Sequence, residues 1–222
     1  LSGSLPDDVE DNFQAVLTEG YAAMNTPSGW VGALTTFSGG SGYWAIVDED
    51  ISFSFNMDQG LARTESYYQE LPASLEYDFI QSSEQAFYFI DNVKLLDGTI
   101  ENGDWIISYN NDIVTGIRQW NGSIIDVPAM GYNKIDKNTS KYFVMGDVPT
   151  FKLLKNSTHE LIALDGIAPG WESNGVYTIS LEEAAPSLPG IFGIESAYPN
   201  PFNPVTTIHF NLDVDSEVSV QV

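Results

Sequence analysis

Apolar and polar positions alternate in short runs along most of this chain. The stretches 86–90, 93–96, 104–109, 112–120, 142–145, 150–154, 161–164 and 176–181 each read as a strand, because successive side chains of a strand face opposite ways. Asp97-Gly98 and Asn110-Asn111 lie between such runs and tolerate the backbone of tight turns. Short strands at this spacing, without a helical pattern between them, predict an antiparallel β-sandwich over residues 66–183.

The first sixty residues read differently. Ser4-Leu5-Pro6-Asp7 offers a helix start with proline early and acids in the first turn. Val9, Phe13, Val16 and Leu17 then share one helical face, and Gly20 ends the run. Trp30-Val31, the strand 43–47 and the alternating Ile51, Phe53 and Phe55 follow, so residues 1–60 are expected to form a small α+β unit. The polar stretch 58–75 reads as a linker, and 184–194 as a Pro/Gly linker. Beyond it, 206–212 and 217–222 alternate as two strands.

Charge narrows the partners. The net charge is −23, from 31 acidic and 8 basic residues, with no Lys or Arg before Arg63 or after Lys155. Such a surface repels nucleic acid and anionic membrane, since phosphate recognition needs clustered cations. The chain holds no cysteine, which removes disulfides, thiolate metal sites and Cys nucleophiles. No run reaches the ~20 apolar residues of a membrane span. The chain starts at Leu1, which reads as a processed piece of a longer precursor.

The most specific motif is Tyr198-Pro199-Asn200-Pro201-Phe202-Asn203-Pro204, followed by the alternating Thr206-Thr207-Ile208. Three prolines in six residues cannot enter a central sheet and fix an extended entry instead. These residues resemble the opening of the type IX secretion sorting domain, an immunoglobulin-like module at the C-terminus of cargo in Bacteroidetes-type bacteria. The resemblance covers residues 195–222. It implies export by the type IX machinery, release or attachment at the cell surface, and the start of an immunoglobulin-like C-terminal domain. Gly29-Trp30-Val31-Gly32 with Gly42-Tyr43-Trp44, and the stretch 85–151, are similar to modules of large secreted proteins carrying that tail. That likeness implies a modular secreted architecture and no named activity.

Few residues are candidates for chemistry. His159 and His209 are the only histidines, and no Gly-x-Ser-x-Gly elbow occurs, so no catalytic residue is assigned and the chain is expected not to be an enzyme. Calcium needs only oxygen ligands, and Asp97, Glu101 and Asp104 crowd a glycine-flanked turn where they are candidate ligands. Tyr132 and Trp171 lie in loop-like stretches and are the candidate sugar-stacking residues. Arg118 is expected to pair with Asp104 or Asp126. Two functions are carried forward. One is a structural or adhesive extracellular surface protein, a self-assembling layer or filament subunit whose partner is itself. The other is a carbohydrate-binding accessory module of a secreted hydrolase, with surface glycans as partners.

Overall fold

The structure, a computed structural model, describes residues 1–56, 77–185, 193–198 and 207–211. The chain is mainly β. Residues Leu1–Glu183 form one compact unit and Ala184–Val222 a second. The first unit spans both stretches read as modules from the sequence, 1–60 and 66–183, and the 58–75 stretch read as a linker lies outside the described residues.

The unit begins with a 3-10 turn (Ser2–Ser4) and a short α-helix, α1 (Asp7–Glu10), and then β1 (Phe13–Thr18), β2 (Tyr21–Thr26), β3 (Gly29–Gly32) and β4 (Trp44–Val47). These strands make a four-stranded antiparallel sheet in the order β3-β2-β1-β4. The expected helix through Phe13, Val16 and Leu17 is a strand instead. Its register with β4 shifts between Phe13 and Ala15. That bulge inserts one residue and resets the alternation. Phe13 and Val16 therefore join one cluster with Leu5, Ala23, Leu34 and Phe37, while Leu17 faces the other way onto Phe87 and Phe89. A bulged strand thus reproduces the i, i+3 spacing of a helix. Ile51–Phe55 forms no ladder either; Phe53 packs edge-on against Phe13, with ring centroids 5.4 Å apart.

The second sheet has seven strands: β5 (Gln85–Lys94), β6 (Trp105–Asn110), β7 (Ile113–Gln119), β8 (Ile125–Met130), β9 (Thr150–Leu154), β10 (Leu161–Asp165) and β11 (Val176–Glu183). Their order is β7-β6-β9-β10-β11-β5-β8. It is mixed rather than purely antiparallel, because β11 runs parallel to β5. The expected strands at 86–90 and 93–96 merge into β5. The expected strand at 142–145 reduces to a single bridge between Gly131 and Phe143.

The larger sheet curls until its edge strands meet. Ser108 Oγ in β6 donates to the Pro128 carbonyl at 2.6 Å. A Cβ on Gly116 of β7 would lie 2.0 Å from that same oxygen, so only glycine allows this approach. Inside the curl lie Tyr88, Ile106, Val127, Phe143, Phe151, Leu153 and Trp171. The first six residues of β5 are buried on both faces. Ala86, Tyr88 and Ile90 point into the curl, and Phe87 and Phe89 point at the smaller sheet. Each such aromatic contributes about 1.5–3 kcal/mol of hydrophobic stabilisation, so β5 joins the two sheets into a sandwich-like pair.

In the second unit, β12 (Gly193–Tyr198) pairs antiparallel with β13 (Thr207–Asn211), with Tyr198 opposite Thr207. β12 begins within the stretch read as linker. Pro199–Pro204 and the strand expected at 217–222 lie outside the described residues.

Candidate functional site

The densest polar constellation lies between the two sheets. The turn from β1 into β2 presents its backbone to three side chains of the larger sheet. Gln85 Oε1 accepts from Gly20 N at 2.9 Å, and its Nε2 donates to the Thr18 carbonyl at 2.8 Å. Arg118 Nη2 donates to the Gly20 carbonyl at 2.6 Å and lies 3.1 Å from Asp126 Oδ2. Its Nε donates to the Asp126 carbonyl at 2.9 Å, and its guanidinium lies over the Tyr21 ring. Asp126, fully buried, accepts from Ala22 N at 2.8 Å and from Ala33 N at 2.7 Å. Burial pushes its carboxyl above the usual value, opposed by the Arg118 charge and the two N–H groups. Of the two partners expected for Arg118, the structure selects Asp126. Every polar atom described here faces another protein atom, so the arrangement joins sheets and leaves no place for a reactant.

Asp104 has a different partner. It lies immediately before β6, almost fully covered. Lys155 Nζ donates to its Oδ2 and to the Thr99 carbonyl, both at 2.9 Å. Glu101 N donates to Oδ2 and Asn156 N to Oδ1, each at 2.9 Å. Burial pushes the carboxyl up, but the Lys155 hydrogen bond, the two N–H groups and the Lys155 charge outweigh it and hold it below its ordinary value. The three candidate calcium ligands are thus placed apart. Asp97 and Glu101 stay exposed while Asp104 turns inward onto an ammonium. Among the described residues no group of three or more His, Cys, Asp or Glu is placed to hold a metal ion.

The two candidate sugar-stacking residues separate. Trp171 is buried rather than exposed. Its Nε1 donates to the Ala129 carbonyl at 2.8 Å, and its ring stacks on Phe143. Gly131 fits beneath it, where a Cβ would come within 2.2 Å of the ring. The loop composition around Trp171 is real, but the loop folds inward to close one end of the curl. Tyr132 remains 36% exposed, one aromatic without the second platform the reading required. His159 is exposed at a turn with φ of 59°, and His209 lies in β13.

Sequence reasoning overlooked a surface. Residues 132–148 carry Ile135 at 94%, Met145 at 77%, Val148 at 59% and Val144 at 50% exposure. Lys134, Lys137 and Lys141 are interleaved with them and exposed. The signal was present as three of the chain's eight cations within one short stretch. A shallow groove of about 520 Å3 also opens beside β1 and β2, lined by Phe13, Gln14, Met24, Asn25, Ile46 and Val176 among others. It gathers no titratable pair, since Asp11 is its one ionisable lining residue.

Comparison with protein-family models, with curated proteins and with solved structures found no match. No helix among the described residues is long and apolar enough to cross a membrane.

Proposed function

We propose that this chain is a structural or adhesive extracellular surface protein, exported through a C-terminal sorting segment of the type IX kind. One observation carries the reading. The Tyr-Pro-Asn-Pro-Phe-Asn-Pro motif starts on the last residue of β12 and runs in sequence toward β13, and these two strands pair with each other in the unit Ala184–Val222. A sorting tail has to be recognised independently of its cargo, and a β-paired segment outside the cargo's core suits that role. The cargo is built for rigidity. Its buried charges join one element to another, and its larger sheet has its edge strands drawn together. Rigid β-modules with polar surfaces serve as display and scaffold units. With Trp171 in the core, no specific observation favours the carbohydrate-binding alternative.

The test is export. The full chain is produced in a bacterium that runs type IX secretion, beside a variant with Tyr198, Pro199, Asn200 and Pro201 all replaced by Ala. The intact chain is expected outside the cell or on its surface, and the variant retained in the periplasm. Equal export of both removes the sorting role of the motif. Retention of both removes the reading altogether.

A further inference from the structure

Two clusters, or poles, of exposed charge in the Leu1–Glu183 unit, one basic and one acidic, have exposed apolar residues beside them. At the first pole, Lys134, Lys137 and Lys141 stand exposed around Ile135, Val144, Met145 and Val148. The two acids of this stretch are turned onto backbone: Asp136 accepts from Asn138 N and Asp147 from Val144 N. Among the described residues the ion pairs are Arg118–Asp126 and Lys155–Asp104, and none of these three lysines has an ion-pair partner there. The second pole is made of two exposed acidic runs, Asp7, Asp8 and Asp11 on one side and Asp48, Glu49 and Asp50 on the other. Asn12 ties the two acidic runs together, its Nδ2 donating to Asp48 Oδ1 at 3.3 Å and to Glu49 Oε1 at 2.8 Å. Phe53 and Phe55, 36% and 41% exposed, pack edge to face on each other nearby and reach Phe13 and Phe37.

The poles lie at opposite ends of β1. Asn12 precedes that strand, so the acidic pole is at its start. Its far end, Thr18 and Gly20, is bonded to Gln85, and Gln85 pairs with Met130, after which the basic stretch begins. Six residues of strand separate the two, about 20 Å at ~3.3 Å per residue.

We propose that the basic apolar pole of one copy docks on the acidic aromatic pole of the next. A second copy is the partner because the chain itself supplies both complementary surfaces, and their local attraction acts against the mutual repulsion of two chains that each carry −23. Exposed apolar patches rimmed by charge mark interaction sites. Here the apolar residues supply contact area and the opposite charges supply register. Because the two poles differ and lie apart, the contact is head-to-tail, and repetition builds an open chain of subunits or a ring. The inference rests on the proposed structural role only in taking a second copy as the physiological partner.

The experiment is sedimentation velocity on the full chain at low and high sodium chloride, with two charge-reversed variants. One is Lys134→Glu with Lys137→Glu and Lys141→Glu; the other is Asp48→Lys with Glu49→Lys and Asp50→Lys. All six positions are exposed, and unchanged thermal melts confirm that the variants fold. Wild type is expected to associate with rising concentration at both salt levels. Each variant alone is expected to stay monomeric, because like poles then face each other. Mixing the two restores complementarity and is expected to restore association. A wild type that stays monomeric throughout overturns the proposal, as does a mixture that fails to recover. Vesicles of phosphatidylcholine with phosphatidylserine form a separate arm. Lysine-dependent binding there, with no self-association, assigns the basic pole to an anionic lipid surface instead. Export failure in the secretion experiment leaves this result untouched, so the two readings fail separately.

Discussion

Asp126 with Arg118 and Asp104 with Lys155 are built from the same parts: one carboxylate, one cation and two backbone N–H donors. The first lies between two sheets, and the residues it joins are separated by 104 and 93 positions in the chain. The second lies where the turns before β6 and after β9 meet, and its lysine side chain keeps 14% of its surface in solvent. Their carboxyls move in opposite directions, up for Asp126 and down for Asp104. The difference is depth. Near the surface, donors outweigh the loss of hydration. Between the sheets, hydration is lost altogether, and the same donors only offset it. A carboxylate held below its ordinary value contributes net stability at neutral pH. One held above it is retained for what it joins.

The comparison is broken most directly at its deeper member. Asp126→Ala is expected to destabilise the fold by about 3–5 kcal/mol, because the Arg118 guanidinium is left buried without its counter-ion. Adding Arg118→Met removes that charge but leaves the N–H groups of Ala22 and Ala33 without acceptors. Each orphaned group retains a penalty of about 1–3 kcal/mol. The double variant is therefore expected to recover only part of the loss in urea unfolding. Full recovery would show that the aspartate acts as a counter-ion and not as an acceptor for the smaller sheet.

Asp104→Ala is expected to cost less, about 1–3 kcal/mol, since Lys155 can turn to water once its partner is gone. The pH dependence separates the two sites by sign. Asp104 is lowered in the fold, so its contribution is present above the ordinary value of 3.8 and fades as pH falls through the lower folded value. Asp126 is raised, so its linkage contribution is complete below 3.8 and declines as pH rises through the raised folded value. In unfolding measured from pH 7 down to pH 3, the gap between wild type and Asp104→Ala should narrow. The gap to Asp126→Ala should widen over the same range. Gaps that move together would mean that depth does not distinguish the sites.

The same distinction governs what the sequence reveals. The strands that became β6, β7, β9, β10 and β11 are legible because each alternates between turns, and Asn111 at φ of 54° supplies the left-handed residue one such turn requires. β8 is hidden by Pro128. Proline is admissible there because β8 lies at the edge of its sheet. β1 is misread because its bulge imitates a helical period. The parallel pairing of β11 with β5 is written in no local pattern, since periodicity fixes which face a side chain takes and not which strand lies beside it. The Arg118–Asp126 pair spans eight positions and is anticipated; Lys155 lies 51 positions from Asp104 and is not. Trp171 fails for a related reason. Pro169 and Gly170 mark a loop correctly, but whether a loop turns outward or into a core depends on what the core lacks.

The smallest expected effect tests the acidic turn on which calcium seemed plausible. Thirty-one acids make the fold sensitive to any dissolved cation, because like charges crowd together on folding and are screened within about 10 Å at 0.1 M salt. A specific site does more, raising the melting temperature by mass action near its own dissociation constant. For such a site Asp104 has to leave an ammonium and two N–H donors that already engage both its oxygens. Asp97 and Glu101, exposed and on their own, supply too few ligands for a cation that takes six to eight oxygens. Thermal melts in calcium chloride, in magnesium chloride and in sodium chloride of equal ionic strength are therefore expected to coincide within about a degree, and Asp97→Ala is expected to leave all three unchanged. A calcium-specific rise abolished by Asp97→Ala would mean that Lys155 is displaced when calcium arrives, and that the shallower of the two pairs is a switch rather than a brace.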